Sequence, residues 1–169
     1  VKRARLRRSL LGGAYGLYTV VRWRLLRAVT LGVRILLVQD GCVLLIRHSY
    51  QSGWNFPGGG IKVGETVAEA ACREAAEEAG AIVRDEPWLL GVYANFAAGK
   101  SDHVAVVVSE SWSLTEPTDR WEIEARVLYA VDALPHDLPH WVRDRIEECV
   151  RLRDGGYPPP SARKLWQDR

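Results

Sequence analysis

The chain reads as a one-domain α/β protein on three observations. A capped helix is expected at residues 67–79, apolar runs of strand length lie on both sides of it, and a second amphipathic helix follows near the end. Its 169 residues suit one domain with a normal core, and no repeat or low-complexity tract interrupts them.

In chain order, residues 1–31 come first. Leu10, Ala14, Leu17, Val21, Leu25 and Ala28 recur at helical spacing, while Arg22, Arg24 and Arg27 break the apolar run, so a basic amphipathic helix is expected. Leu10 to Val21 falls well short of the roughly 20 residues that span a bilayer. Packing against the domain or a second subunit is the favoured reading, with peripheral contact to an anionic membrane second. A secretory signal ranks last because no small-x-small cleavage site precedes the domain. No methionine occurs, position 1 included, which leaves a processed end or an alternative start as readings.

Strands come next. Residues 32–38 and 42–47 are apolar runs joined by Gln39-Asp40-Gly41, a hairpin pattern. Residues 88–96, 103–112 and 123–131 supply the rest of a sheet. Between them, Thr66 and Glu69 form a capping box and Gly80 stands where a left-handed cap ends a helix, which sets 67–79. Ala68, Ala71, Cys72, Ala75 and Ala79 share one narrow face, small enough to lie close against a sheet. A closing helix at about 139–152 turns Val142, Ile146, Cys149 and Val150 inward and stops at Gly155-Gly156. Residues 157–169 read as an extended tail anchored by Trp166.

The capped helix carries the chemistry. Glu74 and Glu77 project from its polar side and Glu78 borders its apolar face, with Glu65 in the loop before it. Like charges three and four residues apart repel, and Arg73 neutralises only part of that. A hard divalent ion with oxygen ligands would offset the remainder, Mg²⁺ above all, with Mn²⁺ as a substitute. A solvated acidic face is the bland alternative. Seven positions fixed in type and spacing, with common residues each near 7%, occur by chance about once in 10⁸ starting points, which disfavours it.

Gly59, Glu65, Arg73, Glu74, Glu77, Glu78 and Gly80 resemble the box of the Nudix (MutT-like) hydrolases, G-x5-E-x7-R-E-U-x-E-E-x-G-U. The two aliphatic positions hold small residues, Ala75 and Ala81. Trp54 to Gly60 looks like the strand and loop leading into the box, and Val131 to Pro135 like the segment before the closing helix. The resemblance covers about residues 32–152. It implies an α/β/α sandwich around a mixed sheet, and the chain divides into the extension 1–31, a domain 32–156 and the tail 157–169.

The resemblance also implies Mg²⁺-dependent hydrolysis of a nucleoside diphosphate linked to another group, with metal-activated water as nucleophile. Glu74 and Glu78 would hold metal, Glu77 would assist, the Gly58 carbonyl would be a further ligand, Arg73 would orient a glutamate and Glu65 would complete the cluster. In this family a general base often lies on a later strand or loop. Glu124 is the first choice here, then Glu122 and Glu110. Arg47, Trp54, Phe56, Gly59, Gly60 and Asn95 are substrate-contact candidates, the two aromatics for stacking on a base against a place in the core or at its rim. His48 and His103 are candidates for a phosphate contact or proton transfer, against an ordinary structural role. Pyrophosphate removal from RNA 5′ ends and a non-catalytic nucleotide-binding regulator are the alternatives.

Charge distribution bears on partners. Residues 1–34 carry nine Lys/Arg and no acid, leaving 14 basic against 21 acidic residues elsewhere, a net of −7. An acidic body disfavours nucleic acid as a partner, leaving a nucleotide-type small molecule and a possible homodimer. Cys42, Cys72 and Cys149 have no metal-binding spacing and read as free buried thiols of a reducing, cytoplasmic compartment.

Overall fold

The computed structural model describes residues 29–96, 101–117 and 121–155, together with the backbone of 166–167. The basic helix expected in the first 28 residues, and most of the tail, lie outside these described residues.

Strands β1 (Val29–Gln39) and β2 (Cys42–His48) form the expected hairpin. Asp40 (φ 51°) and Gly41 (φ 72°) turn it, both on the left-handed side that tight hairpins require. After helix α1 (Val67–Ala79) come β3 (Ala81–Val83), β4 (Trp88–Asn95), β5 (Ser101–Ser109), β6 (Trp112–Leu114) and β7 (Ile123–Ala130). Helix α2 (His140–Asp154) and a short β8 (Trp166–Gln167) complete the order. The main sheet runs β7-β2-β1-β5-β4-β8, and β3 pairs with β6 in a separate ribbon. β1–β5 and β4–β8 are parallel and the other pairs antiparallel, so the sheet is mixed.

Strand alternation sends neighbouring residues to opposite faces and gives the domain two cores. Val33, Ile35 and Leu37 of β1 face α1 with Leu44 and Ile46 of β2, while Leu36, Val38, Val43 and Leu45 face α2. The result is a sheet between two helices, as expected. Ala75 and Ala81, the small residues at the box's aliphatic positions, are fully buried on the α1 side.

Three expectations are corrected. β1 starts at Val29 rather than 32. The run 103–112 is split because the Asp85 carboxylate accepts from Ser109 Oγ (2.5 Å) and Glu110 N (2.9 Å), ending β5 and releasing β6 to pair with β3. The buried face of α1 is also rotated from its expected position: Ala70, Ala71, Ala75 and Ala79 are buried together with Glu74 and Glu78, whereas Ala68 and Cys72 are only half-buried. The apolar pattern misplaced that face because two of its occupants are carboxylates.

Both ends of α1 follow their local chemistry. Thr66 and Glu69 make the reciprocal capping-box bonds, and Gly80 (φ 61°) ends the helix. A Cβ at Gly80 would collide with the Thr115 carbonyl. Arg126 Nη1 donates to Ala79 O (2.7 Å) and Thr115 O (2.6 Å), satisfying carbonyls at the helix end. α2 buries Val142, Arg145, Ile146 and Cys149. All three cysteines are free, but Cys42 and Cys72 are only half-buried; burial pushes the Cys149 thiol up to about 12.

Candidate active site

The loop before α1 is laced to β1 and β2, two interior strands of the sheet. Asn55 and Ile46 exchange both backbone bonds (2.9 and 2.8 Å), then Ile35 N donates to Pro57 O and Val33 N to Gly59 O, each at 2.9 Å. The Gly58 residue is held on both sides: its N–H donates to Glu78 Oε2 (2.8 Å) and its carbonyl accepts from Arg34 Nη1 (2.6 Å). At Gly59 a Cβ would stand 2.5 Å from Glu74 Oε1, so glycine is needed for the loop to approach the helix this closely.

Arg73 is the hub of the cluster. Its Nε and Nη2 grip Glu65 as a fork (2.6 and 2.9 Å), Nη1 reaches Glu74 (2.7 Å) and Glu77 (3.0 Å), and Nη2 also meets Gly60 O (3.1 Å). The Glu65 carboxyl is held down to about 2 by Arg73 and by the Lys62 backbone N–H. Those carboxylates in turn raise the Arg73 guanidinium above its ordinary value. Glu74 goes the other way: burial raises it, Arg73 opposes, and the charges of Glu78 and Glu77 raise it further.

Glu78 is buried, and His48 Nε2 lies 3.0 Å from its Oε1. Glu77 stands at the rim with Lys62 Nζ 3.9 Å away. Among the described residues, no three His, Cys, Asp or Glu side chains are already arranged as a metal-ligand set; the carboxylates are bonded instead to Arg73, His48 and the Gly58 N–H. The donor chemistry nevertheless fits a hard divalent cation. Four carboxylates are offset at close range by one guanidinium and an exposed ammonium, and Glu74 and Glu78 sit where burial penalises their charge.

The base candidates separate in space. Glu124 is exposed at a bulge where β7 passes β2: Ile123 is opposite His48, and Ala125 is opposite Arg47. Glu122, also exposed, accepts Ser49 N at its carbonyl (2.7 Å), so both approach the Glu78 end of β2. Glu110 stands beyond the last β1–β5 pair, Leu37 with Ser109, and pairs with Arg153 at 3.3 Å. The structure does not bring it to the box.

A cavity of about 630 Å³ opens on the α2 side of the sheet, walled by Arg34, Tyr93, Asn95, Phe96, Trp141 and Arg145, with Asp102 on its β5 side. Arg34 joins it to the box loop through its bonds to Phe56 O (3.1 Å) and Gly58 O. The guanidinium of Arg145 is buried, stacked 4.0 Å over Tyr93 and paired with Glu148 at 2.9 Å, while Tyr93 Oη donates to the same Glu148 oxygen. This locks the aromatic wall.

Asn95 lines the cavity, but other contact candidates do not. Trp54 (3% exposed) and Phe56 (0%) are core residues packed edge-on against Tyr129 and Trp141, leaving no ring face for a base. The Arg47 guanidinium covers the Trp54 ring at 4.2 Å. His103 lies beside Phe96 in edge contact (6.0 Å), and His48 is sealed against Glu78. Arg34, Tyr93, Phe96, Asp102, Trp141 and Arg145 were not singled out from sequence. Two of them left a signal: Arg34 breaks an apolar strand, and Arg145 interrupts the inward stripe of α2.

A family model described as the NUDIX domain matches residues 27–149. Among solved structures, the chain resembles a MutT NUDIX hydrolase from Burkholderia pseudomallei at 30% identity and a TM-score of 0.62, over 70% of this chain and 96% of that one. It also resembles a UDP-X diphosphatase (23% identity, 90% and 74% coverage, TM-score 0.57) and an ADP compounds hydrolase (21%, 78% and 77%, TM-score 0.63), likenesses of fold alone. No curated protein matches it. With the box residues gathered around Arg73 and the family model spanning most of the chain, the protein belongs to the Nudix hydrolase family.

Proposed function

We propose that the protein hydrolyses the diphosphate linkage of a nucleoside diphosphate joined to another group, releasing a nucleoside monophosphate and a second phosphorylated product. The observation that carries this reading is the Arg73-centred carboxylate cluster, with Glu74 and Glu78 buried beside a glycine loop that adjoins a nucleoside-sized cavity. Two structures of similar fold are named for UDP-X and ADP compounds, in keeping with such a substrate.

Glu74, Glu77 and Glu78 would hold Mg²⁺, and the Gly58 carbonyl could join them through the lone pair that Arg34 leaves unused. When bound, the ion neutralises diphosphate oxygens and makes hydroxide accessible near neutral pH. Arg73 keeps the carboxylates apart and oriented, and its fork to Glu65 fixes the guanidinium itself. The Arg34 guanidinium, held by two loop carbonyls, stands where the phosphate end of a cavity-bound nucleotide would pass. Glu124, open to solvent on β7 beside the His48–Glu78 contact, is the first choice to accept a proton, with Glu122 second.

The test is a panel of nucleoside triphosphates, ADP-ribose and nucleotide sugars with Mg²⁺ or Mn²⁺, scored by product mass. Metal-dependent release of a nucleoside monophosphate from at least one is expected. Tight nucleotide binding with no release from any of them would make the protein a binding module and overturn the proposal.

A further inference from the structure

We infer that His48 is a positioning residue for Glu78, holding that carboxylate in the orientation a divalent ion needs; the inference rests on the metal-site reading above. His48 continues the row of β2 that faces α1 after Leu44 and Ile46, in a place 2% exposed where an aliphatic side chain would be the ordinary occupant. The extra residue where β2 and β7 shift register is Glu124 on β7, so the row of β2 itself runs on unbroken to His48. Nε2 ends 3.0 Å from Glu78 Oε1.

An ionised carboxylate only accepts, so Nε2 carries the proton and donates it. Nδ1 is buried and without a hydrogen-bond partner among the described residues. Packing alone does not account for a buried imidazole with one orphaned nitrogen, since an apolar side chain of similar size would avoid that penalty. The second Glu78 oxygen is held by Gly58 N–H at 2.8 Å. Glu78 is therefore set from two directions, by β2 and by the glycine loop, whereas Glu77 at the rim is held by Arg73 and Lys62. A donor that fixes a ligand's orientation is the usual outer partner of a metal site.

His48→Gln and His48→Met separate the two roles, because the side chains are alike in length and only glutamine keeps an N–H. Mn²⁺ affinity of the full chain is measured without nucleotide by electron paramagnetic resonance of the free ion, and thermal unfolding is followed in EDTA. His48→Met should weaken Mn²⁺ binding by about 10- to 100-fold, the usual loss when an outer partner is removed. His48→Gln should recover most of it, and both variants should stay folded in EDTA. Equal Mn²⁺ binding by His48→Met and the parent chain overturns the inference, as does an equal loss in both variants. So does unfolding of His48→Met in EDTA while His48→Gln stays folded, which would make the donor structural. If the parent chain itself binds no Mn²⁺, the metal-site reading falls as well.

Discussion

Beneath α1, charge is crowded: Glu65, Glu74 and Glu77 share the Arg73 guanidinium, and Glu78 is held by His48 and a loop amide. Beneath α2, on the opposite face of the same sheet, a single buried arginine, Arg145, breaks an apolar stripe, and Glu148 and the Tyr93 ring offset its charge. The α1 face is built from small residues, so the helix lies close and its carboxylates come down beside the glycine loop. The α2 face combines aliphatic residues with larger rings, among them Trp54, Phe56, Tyr93 and Trp141, and has a cavity at one end. On the proposed reading one face would grip phosphate and the other would house what the phosphate carries, with Arg34 between them.

If Phe56 belongs to the packed side, its truncation should have the largest effect on folding. Phe56→Ala should lower stability by roughly 3–5 kcal/mol, the usual cost of deleting a buried aromatic. Phe56→Leu should restore much of it and leave KM for the best substrate unchanged. A large rise in KM with ordinary stability would return Phe56 to the stacking role.

On the charged side the expected loss is in chemistry rather than folding. Glu74→Gln or Glu78→Gln should lower turnover by roughly 10²-fold or more, the scale of a lost catalytic group. Each variant should unfold at a temperature near that of the parent chain, since glutamine keeps the shape. Unchanged rates at saturating Mg²⁺ would remove these two residues from the reaction.

These two regions also differ in how far they could be read in advance. The box side is local: Thr66, Glu69 and Gly80 cap one helix, and Arg73 meets Glu77 one turn away, so spacing alone sets the contacts. What spacing misjudged was the orientation of Glu74, expected on the polar side but buried against Gly59, whereas Glu78, read at the border of the apolar face, is buried against His48 and the Gly58 N–H. The cavity comes from β1, β4, β5 and α2, and no short motif records which of their residues will meet. Trp54 and Phe56 adjoin the glycine loop in sequence, which left stacking on a base and a place in the core both open. Their spacing of two puts both rings on the α2 face, under a helix more than eighty residues later in the chain.

The link between the faces gives a smaller, sharper effect. Arg34→Lys keeps the charge but loses the planar fork, and should raise KM by about tenfold, the worth of one charged hydrogen bond, with little change in kcat. A fall in kcat at constant KM would instead place Arg34 with the box residues, acting through Gly58.

The smallest effect tests how tightly the charged side is knit. The Glu65 carboxyl drops to about 2 in the folded protein from an ordinary value of 4.5, first because Arg73 donates to it and then because the Lys62 amide does. A depressed carboxyl contributes stability that is fully present above its unfolded value and fades as pH falls through the folded one. The stability difference between the parent chain and Glu65→Gln should therefore be level above about pH 5, shrink below 4.5 and vanish near 2. Raising the salt concentration should change it little if the fork is held by direct hydrogen bonds rather than by long-range attraction. A difference that is already gone at pH 4 would mean the guanidinium is not engaged with Glu65 in solution, and Arg73 would then be free to turn wholly toward Glu74 and Glu77.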